Sequence, residues 1–269
     1  MSTRDSLPRA RKRFGQHFLE SAWVSKLVDA VEPQPADTFL EIGPGRGALT
    51  QVLAPRVGRV VAIEIDRDLA AALPARVPSN VRVVEGDFLD VDISALIEGE
   101  RLPVRAIGNL PYNVSSPILF KLLDAADEGR RFIDATLMLQ KEVADRLIAG
   151  PASRQYGVLA IQLALLAKVE RLFTLPPGAF RPPPKVTSAV VRLTFHPPVV
   201  DVGDRRLFER LVRGVFLQRR KTLLNALAPV AAALDRSAAD VIARAGVDGG
   251  KRPEALTLDD IARLSRAVL

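Results

Sequence analysis

Short, nearly unbroken apolar runs punctuate the first half of the chain, and most of them end in a polar or turn-forming residue. They are "TFLEIG" (38–43), "VVAIEI" (60–65), "VRVVEGD" (81–87), "VRAIGNL" (104–110) and "ATLMLQ" (135–140). Val, Ile and Leu follow one another with little alternation, as in parallel strands buried on both faces. The stretches between them can form helices. Strand and helix therefore alternate, which predicts an α/β, Rossmann-like doubly wound sheet. "YGVLAIQLALLAKV" (156–169) reads mainly as a helix, and "ERLFTL" and "SAVVRLTF" as two more strands, an antiparallel edge pair. Pro197, Pro198 and Gly203 then break the pattern. Beyond them Leu207, Phe208, Leu211, Val212, Val215 and Phe216 recur at helical spacing, and Thr257 and Asp260 mark the start of a closing helix. The expected organisation is an α/β domain over 1–197 and a small C-terminal helical domain over 198–269.

Composition narrows the chemistry. The 269 residues are 48% hydrophobic and 26% charged, enough apolar material for a sizeable core. The absence of cysteine excludes disulfides, thiolate metal sites and cysteine nucleophiles. With His17 and His196 as its two histidines, the chain is not expected to hold a metal. The longest apolar candidate, "VLAIQLALLA", is interrupted by Gln162 and falls short of a membrane span. The opening "MSTRDSLPRARKRF" lacks the apolar core of a signal peptide, so a cytoplasmic location is expected. A net charge of +7 favours a polyanionic partner. The charge gathers at Arg9, Arg11, Lys12 and Arg13, and again from Arg205 through Arg206, Arg210, Arg213, Arg219, Arg220 and Lys221. Such a basic helix is a solvated face or a tracker of RNA phosphates.

Ligand chemistry enters at the carboxyl ends of the strands. "EIGPGRG" places glycines at 43, 45 and 47, letting a ligand approach the backbone before a helix N-terminus. Glu64, about 20 residues on from Gly43, can accept both hydroxyls of a ribose. Nicotinamide-binding folds share this pair of features, and a tight turn beside a surface acid would look the same. The spacing G-x-G-x-G and the presence of Glu41 before it favour a ligand without phosphate. Asp87 ends the third strand where it can accept from an adenine amino group, with Phe88 able to flank the ring. S-adenosylmethionine, with an adenine, a ribose and a cationic tail, suits these acids.

The fourth strand delivers "NLPY", Asn109-Leu110-Pro111-Tyr112, to the same edge. An exocyclic adenine nitrogen is a poor nucleophile because its lone pair is delocalised into the ring. The Asn109 side-chain oxygen and a carbonyl in the Leu110–Pro111 turn can hold its protons and favour a pyramidal nitrogen. Pro111 stiffens the turn, and Tyr112 offers a face on which a base can stack. An ordinary strand-ending turn is the competing reading.

"RKRFGQHFL", "EIGPGRGALT", "VVAIEIDRDLA", "GDFLD", "IGNLPYNVSSPILF", "LMLQKEVADRL", "FRPPPKVTSAVVRL" and "QRRKTLLNAL" appear in this order. From about Arg11 to Leu269 the chain resembles the small-subunit ribosomal RNA adenine N6-dimethyltransferases. The resemblance implies a methyltransferase sheet, S-adenosylmethionine as methyl donor, and dimethylation of two adjacent adenines near the 3′ end of 16S rRNA. It also implies a 30S precursor as partner, with no membrane, and a monomeric enzyme. His17 and Leu19 would line the methionine side of the cofactor, although the family often has Asn where His17 stands. Gly43 would contact the cofactor through its backbone, Glu64 would hold the ribose, Asp87 the adenine, and Asn109 the reacting centre. Phe180 would be a second aromatic face for the target base. Large-subunit methyltransferases, and a binding factor that keeps the fold, are the alternatives.

Overall fold

The computed structural model describes residues 17–128 and 131–269. The basic cluster from Arg9 to Arg13 lies outside them. The strands are β1 (Phe18–Leu19), β2 (Thr38–Ile42), β3 (Arg59–Glu64), β4 (Val81–Glu85), β5 (Val104–Asn109), β6 (Phe132–Gln140), β7 (Ala167–Leu175), β8 (Phe180–Arg181) and β9 (Ser188–Phe195). The helices are α1 (Ser21–Val31), α2 (Ala48–Leu53), α3 (Arg67–Ala72), α4 (Ile93–Leu96), α5 (Ser115–Asp127), α6 (Lys141–Leu147), α7 (Val158–Leu166), α8 (Arg205–Leu217), α9 (Leu223–Ala232), α10 (Ala238–Ala245) and α11 (Leu258–Val268).

Seven strands form one sheet in the order β4-β3-β2-β5-β6-β9-β7. The five runs expected to be strands are β2 to β6, and they pair in parallel. β9 runs antiparallel to β6, with β7 beside it at the edge. All of β2 is buried, as its apolar run requires. On one face Phe39, Val60, Ala62 and Ile107 meet Val24, Leu27, Val28 and Val31, the i, i+3, i+4, i+7 stripe of α1. Each Val, Leu, Ile or Phe side chain among them stabilises the fold by roughly 1.5–3 kcal/mol on burial, and the Ala62 methyl by less.

Two connections place the site. The strand order reverses between β2 and β5, so a crevice opens at their carboxyl ends, where doubly wound sheets bind ligands. Gly108 lets the two strands come together, since a Cβ there would stand 2.6 Å from the Ile42 carbonyl oxygen. β1 and β8 form a separate antiparallel ribbon, with Leu19 opposite Phe180. No apolar run announced that ribbon.

The chain divides into two compact units: residues 17–144 with 169–195 among those described, and 145–168 with 196–269. The boundary expected at 197 lies close to the second break, whereas 145–168, expected with the sheet, belong to the second unit. α7 packs instead with α8 and α11. Its Ala160, Ile161, Gln162, Leu163, Leu165 and Leu166 are buried, so it is apolar nearly all round, like the core helix of a bundle. α8 buries Phe208, Leu211, Val212 and Val215, and Asp204 caps it by accepting from the Leu207 N–H at 2.7 Å. Thr257 and Asp260 cap α11 reciprocally. Arg219 follows α8 rather than lying on it. It pairs with Glu254 at 2.8 Å and donates to the Arg154 carbonyl, which ties it into this unit.

Candidate active site

The crevice collects His17, Leu19, Glu41, Gly43, Glu64, Asn109, Pro111 and Tyr112 around one cavity. A neighbouring hollow is lined by Asp87, Phe88, Ile65 and Pro111. Of the sequence-expected residues, all but Phe180 line one of these two spaces, Leu110 among them.

Glu64 ends β3, almost wholly buried. Its Oε2 accepts from the Gly45 N–H at 2.8 Å and its Oε1 from the Asp66 N–H at 2.9 Å. Burial pushes its carboxyl above the usual range, and these N–H groups pull against that. Glu41 sits on the core face of β2, one register step past Leu40, opposite Ala62 and Ile107. It is 1% exposed, and its Oε2 has no hydrogen-bond partner among the described residues. Asp87 accepts from the Leu89 N–H through Oδ1 at 2.8 Å, leaving Oδ2 for a ligand.

Asn109 closes β5. Its Nδ2 donates to the His17 carbonyl at 2.8 Å, so the remaining amide atom, Oδ1, is an acceptor. The Pro111 carbonyl is taken by the Val114 N–H, whereas no described residue donates to the Leu110 carbonyl. The Leu110 side chain itself is buried. Tyr112 and Ser188 share a hydrogen bond of 2.7 Å between their hydroxyls, and burial raises the phenol above its ordinary range. The tyrosine ring is stacked with His17, with centroids 5.8 Å apart and planes at 23°. His17 is anchored in turn by its Nδ1–H, which donates to the Pro182 carbonyl at 2.8 Å.

Phe180, expected as a second aromatic face, lines neither space. Its side chain is fully buried with Leu27, Leu175, Ala179 and Val190, and it offers no face to the cavity. The cause is the ribbon: pairing of β8 with β1 turns the ring into the core. Phe88 is likewise 4% exposed, while Ile65, which borders both hollows, is 43% exposed. Ile65, Ser188 and Phe18, over which Arg46 lies at 4.2 Å, belong to the site without being expected from the sequence. For Ile65 a signal existed: it is the apolar residue directly after the acid that ends β3.

Comparison with known proteins identifies a family. The family described as ribosomal RNA adenine dimethylase matches residues 8–267. A protein of Acinetobacter baylyi named ribosomal RNA small subunit methyltransferase A is 46% identical over 262 residues, covering 96% of this chain and 92% of that one. One of the same name from Geobacter metallireducens is 45% identical, over 97% and 96%. Among solved structures, a dimethyladenosine transferase from Plasmodium falciparum superposes with a TM-score of 0.78 at 27% identity, over 92% of this chain and 96% of that one. The 23S rRNA methyltransferase ErmE follows at 0.63 and 25%, over 93% and 99%.

Proposed function

The chain belongs to the ribosomal RNA adenine dimethylase family and is a methyltransferase, and from that premise we propose its specific reaction. It dimethylates N6 of two adjacent adenines near the 3′ end of 16S rRNA during small-subunit assembly, with S-adenosylmethionine as methyl donor. The observation that carries this reading is Asn109, held at the switch point by the His17 carbonyl, with an acceptor oxygen left over beside Tyr112.

The cavity suits S-adenosylmethionine. Gly43 has φ +70° and nothing within 4 Å of where a Cβ would stand, so the backbone there is open to a ligand. The partnerless oxygen of Glu41 suits a cationic tail better than a pyrophosphate. His17 and Leu19 border the methionine end, and Gly43 contributes its backbone. Glu64 keeps a second lone pair on each oxygen for the ribose hydroxyls. The Asp87 Oδ2 takes the adenine amino group, with Ile65 against the ring. Bound there, S-adenosylmethionine supplies an electrophilic methyl group.

The protein's part is to prepare the nitrogen. The Asn109 Oδ1 and the Leu110 carbonyl accept the two amino protons of the target adenine, which draws the lone pair out of ring conjugation. Tyr112 receives the base once it leaves its stack. Its ring is held in place at both ends, by Ser188 at the hydroxyl and by Pro111 in the backbone. The names of the relatives at 45–46% identity favour the small subunit over the large. Purified protein should be given S-adenosylmethionine with unmodified small-subunit particles and, in parallel, large-subunit RNA, and the products read by primer extension. Stops at two adjacent adenines in the small-subunit RNA alone are expected. Modification confined to the large-subunit RNA, or methyl transfer to neither, would overturn the proposal.

A further inference from the structure

Two carboxyls face the same cavity, and their surroundings differ. Glu64, on β3, has a backbone N–H on each oxygen. Glu41, on β2, is 1% exposed and has a bare Oε2. Thr50 faces it from α2 without reaching hydrogen-bond geometry. The other titratable or charged groups lining the cavity are Arg46 in the glycine loop, His17 ahead of β1 and the Tyr112 phenol after β5, which burial holds above its ordinary range, while Asn109, on β5, is neutral. No described basic side chain forms an ion pair with Glu41. An ionised carboxylate buried without donors is costly, and a second one beside it is costlier. Glu64 is therefore the better placed of the two to hold a charge.

We propose that Glu41 is a cation-binding residue of this pocket, carrying a proton in the free protein and releasing it when a cationic ligand settles against it. The inference rests on the reading of the cavity as the S-adenosylmethionine site. The exchange balances simply: the neutral acid loses its proton to solvent, and the carboxylate left behind pairs with the ligand's ammonium or sulfonium charge. Burial, eased by Thr50 and reinforced by the charge on Glu64, lifts the Glu41 carboxyl to about 7. The exchange therefore falls near neutral pH.

Calorimetry in two buffers of different ionisation enthalpy counts the protons released. At pH 6.5, where an α-amino group of the ligand is still charged, S-adenosylmethionine should release about three-quarters of a proton, rising towards one at about pH 5.5. 5′-Methylthioadenosine keeps the adenosine but lacks the cationic groups, and should release none. Glu41→Gln should bind 5′-methylthioadenosine as the wild type does. It should bind S-adenosylmethionine without proton release and, at pH 8, roughly tenfold or more weakly. Wild-type binding of S-adenosylmethionine with no proton exchange at pH 6.5 would overturn the proposal alone. So would undiminished release from Glu41→Gln, or equal release with 5′-methylthioadenosine. Failure of both ligands to bind would overturn the reading of the pocket, and the proposal with it. Should Glu41→Gln not fold, the wild-type comparison between the two pH values decides.

Discussion

Replacing Asn109 with alanine removes a donor from the His17 carbonyl and, on the proposed reaction, an acceptor from the target nitrogen. Turnover should fall by roughly 10²-fold, as for other single preorganised groups, with a much smaller change in cofactor affinity. Single-turnover rates near wild type would contradict the role. Glu64→Ala should weaken S-adenosylmethionine by about 1.5–3 kcal/mol, the worth of a charge-assisted hydrogen bond, as read by calorimetry. Tyr112→Ala should slow methylation strongly, whereas Tyr112→Phe keeps the ring and loses the bond to Ser188, about 0.5–1.5 kcal/mol. If the two variants were equally slow, the hydroxyl rather than the face would be the working part. Glu64, Asp87 and Asn109 were legible because each polar side chain ends an apolar run, and a strand end in such a sheet is a ligand edge. The partners Ser188 and Pro182 were not, because contacts between distant segments leave no local pattern. Phe180 by its residues alone reads as core or loop packing, in keeping with its full burial, and only the family resemblance makes it a face for the base.

The long elements followed from periodicity, and the short ones escaped it. β2 to β6 are apolar runs that could hardly be anything else in a two-faced sheet. β1 and β8 have two residues each, too few for any period to show, yet they bring His17 to Tyr112. α7 was legible as a helix but not as part of the second unit. A helix buried all round has no polar face to say which neighbour it packs on. Among the described glycines, the closest approach of another segment's backbone is at Gly108. Gly108→Ala would put a methyl 2.6 Å from the Ile42 carbonyl oxygen, so β5 must move away from β2. A loss of about 1–3 kcal/mol is expected, typical of overpacking, with a lower midpoint in urea. An unchanged midpoint would mean that the strands are not pressed together there.

For the molecule as a whole, charge governs two measurable behaviours. Arg206, Arg210, Arg220 and Lys221 are exposed, whereas Arg219 is committed to Glu254. Neutralising those four while sparing Arg219 should weaken RNA binding and flatten its dependence on salt, by somewhat under one unit of log–log slope per lost phosphate contact. A slope equal to wild type would remove this surface from the interface. The second behaviour is stability against pH. Glu41 rises from 4.5 to about 7 on folding, so the folded chain binds the extra proton and stability falls as pH climbs through that interval. Without ligand the loss should be on the order of 3 kcal/mol between pH 4.5 and 7.5, and Glu41→Gln should abolish this part of the slope in denaturant titrations. Neither behaviour was legible in the net charge alone, which does not say which residues are paired or buried. The clasp of His17 by the Pro182 carbonyl and by Asn109 spans 165 and 92 positions of sequence. A chain still being synthesised, with residue 182 inside the exit tunnel, holds the acids of the crevice and the Asn109 half of this clasp, but not the Pro182 half. The crevice is therefore completed late in translation, well after the parallel strands can have paired.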